Sequence, residues 1–357
     1  MRRLCLLTLV ALLVLPAAAG SAVARPLKSL WGPVTLPNGQ PAGPVYKDLG
    51  VDDLEMSVPW SDVAPTRPAN PRDPRDPAYK WPADVDAAIA AGRQYGFDVT
   101  LMVSFSPAWA NGGHSREWAP TNPRDFADFV FAASKRYPGV RRWMIWGEPG
   151  RAVNWKPLPR NKPTAPRRYA RLLDASYGQL KLASTKNIVI GANTFTVGDV
   201  QPRDWLRWMR LPNGKPPRLD QWGHNPFSTR IPNLSKDLIG PKAYDFSDID
   251  ALHRDVAKVY RKAYPSKFGR SGPKIWVSEF TIQADHGSQD FNFFVSKATQ
   301  AKWVTAAYRE ADKTDYIAGV GWLGLLDEPA APYNRTTGLL TFELAKKPAY
   351  EAYKRAK

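Results

Sequence analysis

Two glutamates stand at the far ends of two apolar runs. Arg141 to Gly150 reads RRWMIWGEPG, in which Trp143, Met144, Ile145 and Trp146 form a continuous hydrophobic stretch that stops at Gly147, Glu148 and Pro149. A run of this length between breakers suits a strand of a parallel sheet covered on both faces. Lys274 to Phe280, KIWVSEF, repeats the pattern after Gly272 and Pro273 and delivers Glu279. If both strands belong to one parallel barrel, both carboxyls leave the same face, the one on which such barrels build active sites. Paired carboxyl groups serve proton transfer and nucleophilic attack, one kept protonated while the other is ionised.

The rest of the chain supplies the frame these two strands need. Strands are expected at Ser29 to Thr35, Leu54 to Trp60, Val99 to Phe105, Ile188 to Ala192, Asp220 to Gly223 and Ile317 to Leu323. Helical periodicity separates them. Val85, Ala88, Ile89, Gly92 and Tyr95 share one face after Trp81 and Pro82, and Phe126, Phe129, Val130 and Ala133 another after the Asn122-Pro123 start. Further helices are expected over Thr164 to Ala183, Pro202 to Leu211, Ile249 to Tyr260, Ser296 to Ala311 and Pro348 to Lys354. Pro37 to Pro44 reads as a Pro/Gly-rich connection and Ala64 to Pro77 as an exposed proline-rich excursion. Strict alternation of strand and helix predicts an α/β protein, a single (β/α)8 TIM barrel over residues 25–357. An open doubly wound sheet is disfavoured, because no glycine-rich dinucleotide or phosphate loop follows the early strands.

Composition sets the setting. The chain has 357 residues, 43% hydrophobic and 23% charged, enough for one large core, and a formal charge of +17. Residues 1–24 read as a secretory signal: Arg2 and Arg3 precede an apolar stretch, Pro16 breaks it, and Ala22-Val23-Ala24 supplies a small-residue cleavage site. A secreted, extracellular protein without a stable membrane anchor is therefore expected. Cys5, the only cysteine, lies inside that signal, which leaves the exported chain neither a disulfide nor a thiolate. His114, His253 and His286 are scattered without metal-ligand spacing, so no metal and no cofactor are expected.

The Trp-x-Glu-Pro end of the fourth strand (Trp146 to Pro149), the isolated Glu279 ending the seventh, Ser106-Pro107-Ala108-Trp109 after the third and Trp322 on the eighth resemble the clan A glycoside hydrolases. The likeness runs the length of the mature chain. It implies retaining double displacement, with Glu148 as acid/base and Glu279 as nucleophile, their carboxyls about 5 to 5.5 Å apart. Within that scheme the neighbours of Glu148, Trp146 and Pro149, would disfavour its charge, and Ser278 would help keep Glu279 ionised by hydrogen bonding. Trp109 and Trp322 become candidate sugar platforms, and His224, ending the sixth strand, a candidate for bonding sugar hydroxyls or steadying Glu279. A histidine bonded to backbone is the competing reading of His224.

The chain departs from the clan at two places. Clan members usually carry Asn before the acid/base, where this chain has Gly147, and many carry an arginine on the second strand, which is missing from Leu54 to Trp60. Asn193 and Asn225 are the best-placed substitutes for contact with the sugar 2-hydroxyl, a contact that can supply several kcal/mol in the transition state. Gly147 also keeps open a catalytically impaired carbohydrate-binding barrel, and the basic balance a protein that binds cell-surface polyanions. The expected partner is an oligosaccharide or polysaccharide rather than nucleic acid. An acidic glycan is suggested by Arg151, Lys156, Arg160, Lys162, Arg167, Arg168 and Arg171, a stretch without Asp or Glu that follows Glu148.

Overall fold

The computed structural model describes residues 25–235, 238–289, 291–328 and 333–356, so the expected signal of residues 1–24 lies outside the described residues. Eight parallel strands close a barrel: β1 (Leu27–Trp31), β2 (Asp53–Pro59), β3 (Asp98–Ser104), β4 (Arg142–Ile145), β5 (Ile188–Phe195), β6 (Gln221–Asn225), β7 (Lys274–Phe280) and β8 (Ile317–Leu323). Each pairs with its successor, and β8 closes on β1. The longest helix after each strand is, in order, α1 (Gly43–Leu49), α2 (Ala83–Tyr95), α3 (Pro123–Arg136), α4 (Thr164–Ala183), α5 (Pro202–Trp208), α6 (Ile249–Ala263), α7 (Lys297–Asp312) and α8 (Pro348–Arg355). The expected (β/α)8 barrel is thus the observed one.

Two early elements differ from the sequence reading. β1 stops at Trp31, because Gly32 and Pro33 end the pairing, so residues 32–35 are not strand. α1 occupies part of the supposed Pro/Gly-rich connection. Pro44 suits its first turn, Gly50 closes it in the left-handed conformation (φ 65°), and Tyr46 and Leu49 are buried. The proline-rich excursion has no strand or helix of its own from Ala64 to Pro77, and Tyr79 and Trp81 anchor its end against Phe129.

The barrel separates two cores. Outward residues such as Leu54, Leu101, Trp143 and Ile145 pack against the helices, while Met144, Ile190 and Trp276 form a small cluster inside with Leu27, Met102 and Ala318. A polar layer also lies within the strands. Ser29 Oγ (2.8 Å) and Ser278 Oγ (2.9 Å) donate to the two oxygens of Glu55, and Arg142 donates to Asp53 at 3.0 Å. Burial pushes Glu55 well above the usual carboxyl range and Asp53 up to about 7, the latter against the pull of Arg142.

Candidate active site

Glu148 follows β4 on a turn that leaves regular geometry at once. Trp146 and Glu148 have φ of 63° and 41°, in the left-handed region that non-glycine residues occupy only under constraint. The constraint is visible: Trp146 N–H still bonds Val103 O at 2.8 Å, and its indole N–H donates to Asn154 O at 2.8 Å. Gly147 lies over the barrel interior, where an added Cβ would stand 2.8 Å from Met102 Sδ. A side chain at this position, where the clan usually has asparagine, would have to displace the flexible end of Met102.

The Glu148 carboxyl is almost fully buried and accepts three N–H hydrogen bonds: Arg151 (2.7 Å) and Asn154 (3.3 Å) on Oε2, and Asn225 (2.9 Å) on Oε1. Arg151 also stacks on Phe195, 4.5 Å from the ring centre. Asn225 reaches Glu148 from the end of β6, so one of the two proposed asparagine substitutes does stand beside the acid/base candidate.

Glu279 is brought to the site by an irregularity. Val277 pairs with Val320 and Phe280 with Trp322, so three steps along β7 match two along β8. The extra residue breaks the in/out alternation and re-aims a side chain. Ser278 bonds Glu55 inside the barrel, while Phe280 packs in the outer core on Phe246 and Trp303. Glu279 stands between them, partly exposed, and accepts no hydrogen bond among the described residues. Burial first, and then the negative charge of Glu148, push its pKa up to about 8, against the opposing charges of Arg335 and Arg151. The two glutamates are therefore close enough to feel each other. The neighbours expected to set their charges act differently from the sequence reading. Ser278 serves Glu55 rather than Glu279, and Glu148 meets donors rather than an apolar wall.

Three of the expected sugar contacts are corrected, and a fourth, the partly exposed Trp109, has one ring face covered. His224 is fully buried with both ring nitrogens taken: Nε2–H donates to Tyr244 O (2.9 Å) and Nδ1 accepts from Thr194 Oγ1 (2.8 Å). Burial pushes it down to about 4, so it is neutral and locks β5 to the segment around Tyr244. Asn193 sits on a bulge of β5 and donates to the carbonyls of Ile145 and Trp146. Its amide occupies the space left by Gly223, where a Cβ would lie 1.6 Å from Asn193 Oδ1. Trp322 is fully buried, edge-on to Phe280, with its indole N–H on Thr337 O. Trp109 meets Trp60 edge-on, carries the Arg67 guanidinium 4.4 Å over its ring and donates to Ala64 O, so that ring face is already covered.

The residues that do line open space near Glu279 were missed. A cavity of about 560 Å³ at the ends of β1 and β8 is walled by Trp31, Gly324, Asp327, Tyr333, Arg335 and Phe342. Its walls include neither glutamate, but Trp31 donates its indole N–H to Ser278 O at 2.9 Å, next to Glu279. Arg335 lies 4.5 Å over Tyr333 and grips Glu328 through Nε (2.8 Å) and Nη2 (3.0 Å). Trp31, directly before Gly32-Pro33 at a strand end, carried the same signal as Glu148 and Glu279; the residues after β8 carried none.

No protein-family model and no curated protein matches the sequence. Solved structures do match by fold. A family 39 glycoside hydrolase from the gut symbiont Bacteroides cellulosilyticus WH2 superposes with a TM-score of 0.65 at 17% identity, over 92% of this chain and 63% of that one. A monomeric β-xylosidase from Caulobacter crescentus CB15 gives 0.57 at 17% identity, over 93% and 68%. Bacteroides uniformis β-glucuronidase 2, covalently bound to cyclophellitol-6-carboxylate aziridine, gives 0.54 at 15% identity, over 93% and 35%. The chain thus spans 63% of the first of these proteins and about a third of the last. The barrel has the fold of the clan A glycoside hydrolases.

Proposed function

We propose that the protein is a secreted glycoside hydrolase that cleaves O-glycosidic bonds with retention, acting on an oligosaccharide or polysaccharide. The observation that carries this reading is the pair Glu148 and Glu279, two carboxyls delivered by β4 and β7 to one end of the barrel, near enough that the charge of Glu148 raises the pKa of Glu279. In the first step the Glu279 carboxylate attacks the anomeric carbon as the bond to the leaving oxygen breaks, and Glu148 gives that oxygen its proton. In the second, Glu148 takes a proton from water, the hydroxyl adds to the anomeric carbon, and the bond to Glu279 breaks. Glu279 must ionise for the first step, while in the free protein it holds its proton up to about pH 8. Productive substrate binding therefore has to favour the ionised form of Glu279, toward which the charges of Arg335 and Arg151 already pull.

An acidic glycan fits this reading. Arg151 and Arg335 place positive charge around the pair, and the similar β-glucuronidase holds a carboxylate-bearing inhibitor. Much of the basic loop is already neutralised, however: Lys156 faces Glu117 at 3.9 Å and Arg160 pairs with Asp199 at 2.8 Å. The competing reading, a barrel that binds glycans without cleaving them, draws on Gly147, whose missing side chain is matched only in part by Asn225.

A panel of aryl glycosides and polysaccharides tests the proposal. Glu279→Gln should abolish turnover of every substrate, whereas Glu148→Ala should spare the first step on aryl glycosides whose leaving group needs no proton. Binding without turnover by the wild-type protein across the panel would favour the competing reading.

A further inference from the structure

The last arginines of the basic stretch surround a second cavity, and we propose that it binds the carboxylate or sulfate group of an acidic glycan at a distance from the cleaved bond. The cavity measures about 470 Å³ and is walled by Thr121, Trp155, Thr164, Arg167, Arg168 and Arg171. It lies where α3 and α4 begin. Both helices follow strands whose carboxyl ends carry the candidate active site, so the cavity belongs to the same end of the barrel as Glu148.

Three features make it a place for an oxyanion. Arg151, Arg160, Arg203 and Arg218 each have a carboxylate partner, whereas Arg167, Arg168 and Arg171 meet none among the described residues. Arg168 is half-buried and pinned by two backbone carbonyls, Ala119 O (3.1 Å) and Pro120 O (2.9 Å), so its charge is positioned without being neutralised. The first turn of α4 adds to this field, since it contains no acidic residue and Pro163 offers no capping side chain. Paired N–H donors of arginine match the geometry of a carboxylate or sulfate.

The cavity is connected to the candidate active site through packed groups. Trp155 meets Trp146 edge-on at 4.8 Å, Trp146 donates to Asn154 O, and Asn154 Nδ2 reaches Glu148 Oε2. The choice of a glycan as bearer of the anion rests on the glycoside hydrolase reading; the oxyanion chemistry of the cavity does not.

The test is calorimetric titration of the full mature chain with a tetrasaccharide of glucuronic acid, its neutral glucose counterpart and sodium sulfate, at low and high salt. The acidic tetrasaccharide should bind more tightly than the neutral one and weaken as salt rises. Arg167→Ala/Arg171→Ala should lose roughly tenfold or more in affinity for it, with an unchanged melting temperature because both side chains are exposed. Glu148→Ala should keep that affinity. Equal binding by the wild type and the double variant overturns the site, and a response to sulfate but not to the acidic tetrasaccharide overturns its assignment to glycans. If no glycoside is ever turned over while the double variant still loses the tetrasaccharide, the cavity stands and the hydrolase reading falls. If glycosides are turned over while binding ignores both arginines, the hydrolase reading stands and the cavity site falls.

Discussion

Replacing Glu148 with glutamine should lower the pKa of Glu279 substantially. In the native protein burial and the Glu148 charge act together to bring Glu279 to about 8. Two carboxylates at the retaining separation of about 5.5 Å interact by roughly 3 kcal/mol at an effective dielectric of 20, which corresponds to about two pH units. Glutamine keeps the shape of the side chain, and its carbonyl can still accept from Asn225 or Arg151, but it carries no charge. Arg151 also loses its counter-ion, and its charge already favours ionised Glu279, so both changes act in one direction. Glu279 should then titrate near 6 rather than 8, staying above the ordinary glutamate range because its burial is unchanged. The assay is a carbon-13 carboxyl titration by NMR, supported by the acid limb of kcat/KM on an aryl glycoside with a good leaving group. A Glu279 titration that does not move in Glu148→Gln would refute the electrostatic coupling on which the site rests.

Three further outcomes follow from the structure. A carboxyl with a raised folded pKa weakens the fold as pH climbs from its unfolded value of about 4.5 to its folded value, so Glu279→Gln should match the wild type near pH 4 and gain stability up to about pH 8, by about 2–3 kcal/mol after allowance for partial exposure; denaturant melts across pH measure it, and a constant difference would contradict it. His224→Phe should cost about 1–3 kcal/mol by stranding Thr194 Oγ1 and the Tyr244 carbonyl, and the folded fraction should keep its activity, whereas loss of kcat at full folding would return His224 to the active site. Gly147→Ala should cost less than about 1 kcal/mol, because the added Cβ meets only the flexible end of Met102, and denaturant melts measure it; a loss of several kcal/mol would show that the Met102 side chain cannot move aside.

Sequence patterns reported the barrel well because each strand is a short apolar run between breakers, and each long helix an apolar stripe with a capping signal such as Asn122-Pro123. The strand ends also pointed to Glu148, Glu279 and Asn225, whose places depend on where a strand stops. Side-chain direction was less legible. His224 and Asn225 are adjacent at the end of β6, yet one is locked outward on Tyr244 O and the other reaches Glu148, a difference of one step in a period-two pattern. Bulges in β5 and β7 reset that alternation, and no residue type announces them. Trp109 and Trp322 bear the chemistry of sugar platforms, but their covering groups, Arg67 and Phe280, come from distant segments. The buried acids Asp53 and Glu55 likewise gain meaning only once β1, β2, β4 and β7 stand side by side.

The central claim is that Glu279 forms the covalent bond to sugar while Glu148 handles the proton. Once the panel has identified a hydrolysed glycoside, its 2-deoxy-2-fluoro analogue with an activated leaving group should inactivate the protein by trapping the first intermediate. Peptide mass spectrometry of the inactivated protein is the direct measurement. The account predicts one sugar adduct, on the peptide that carries Glu279. An adduct on Glu148 or any other residue, or inversion without an adduct from a protein that turns over the parent glycoside, would contradict it.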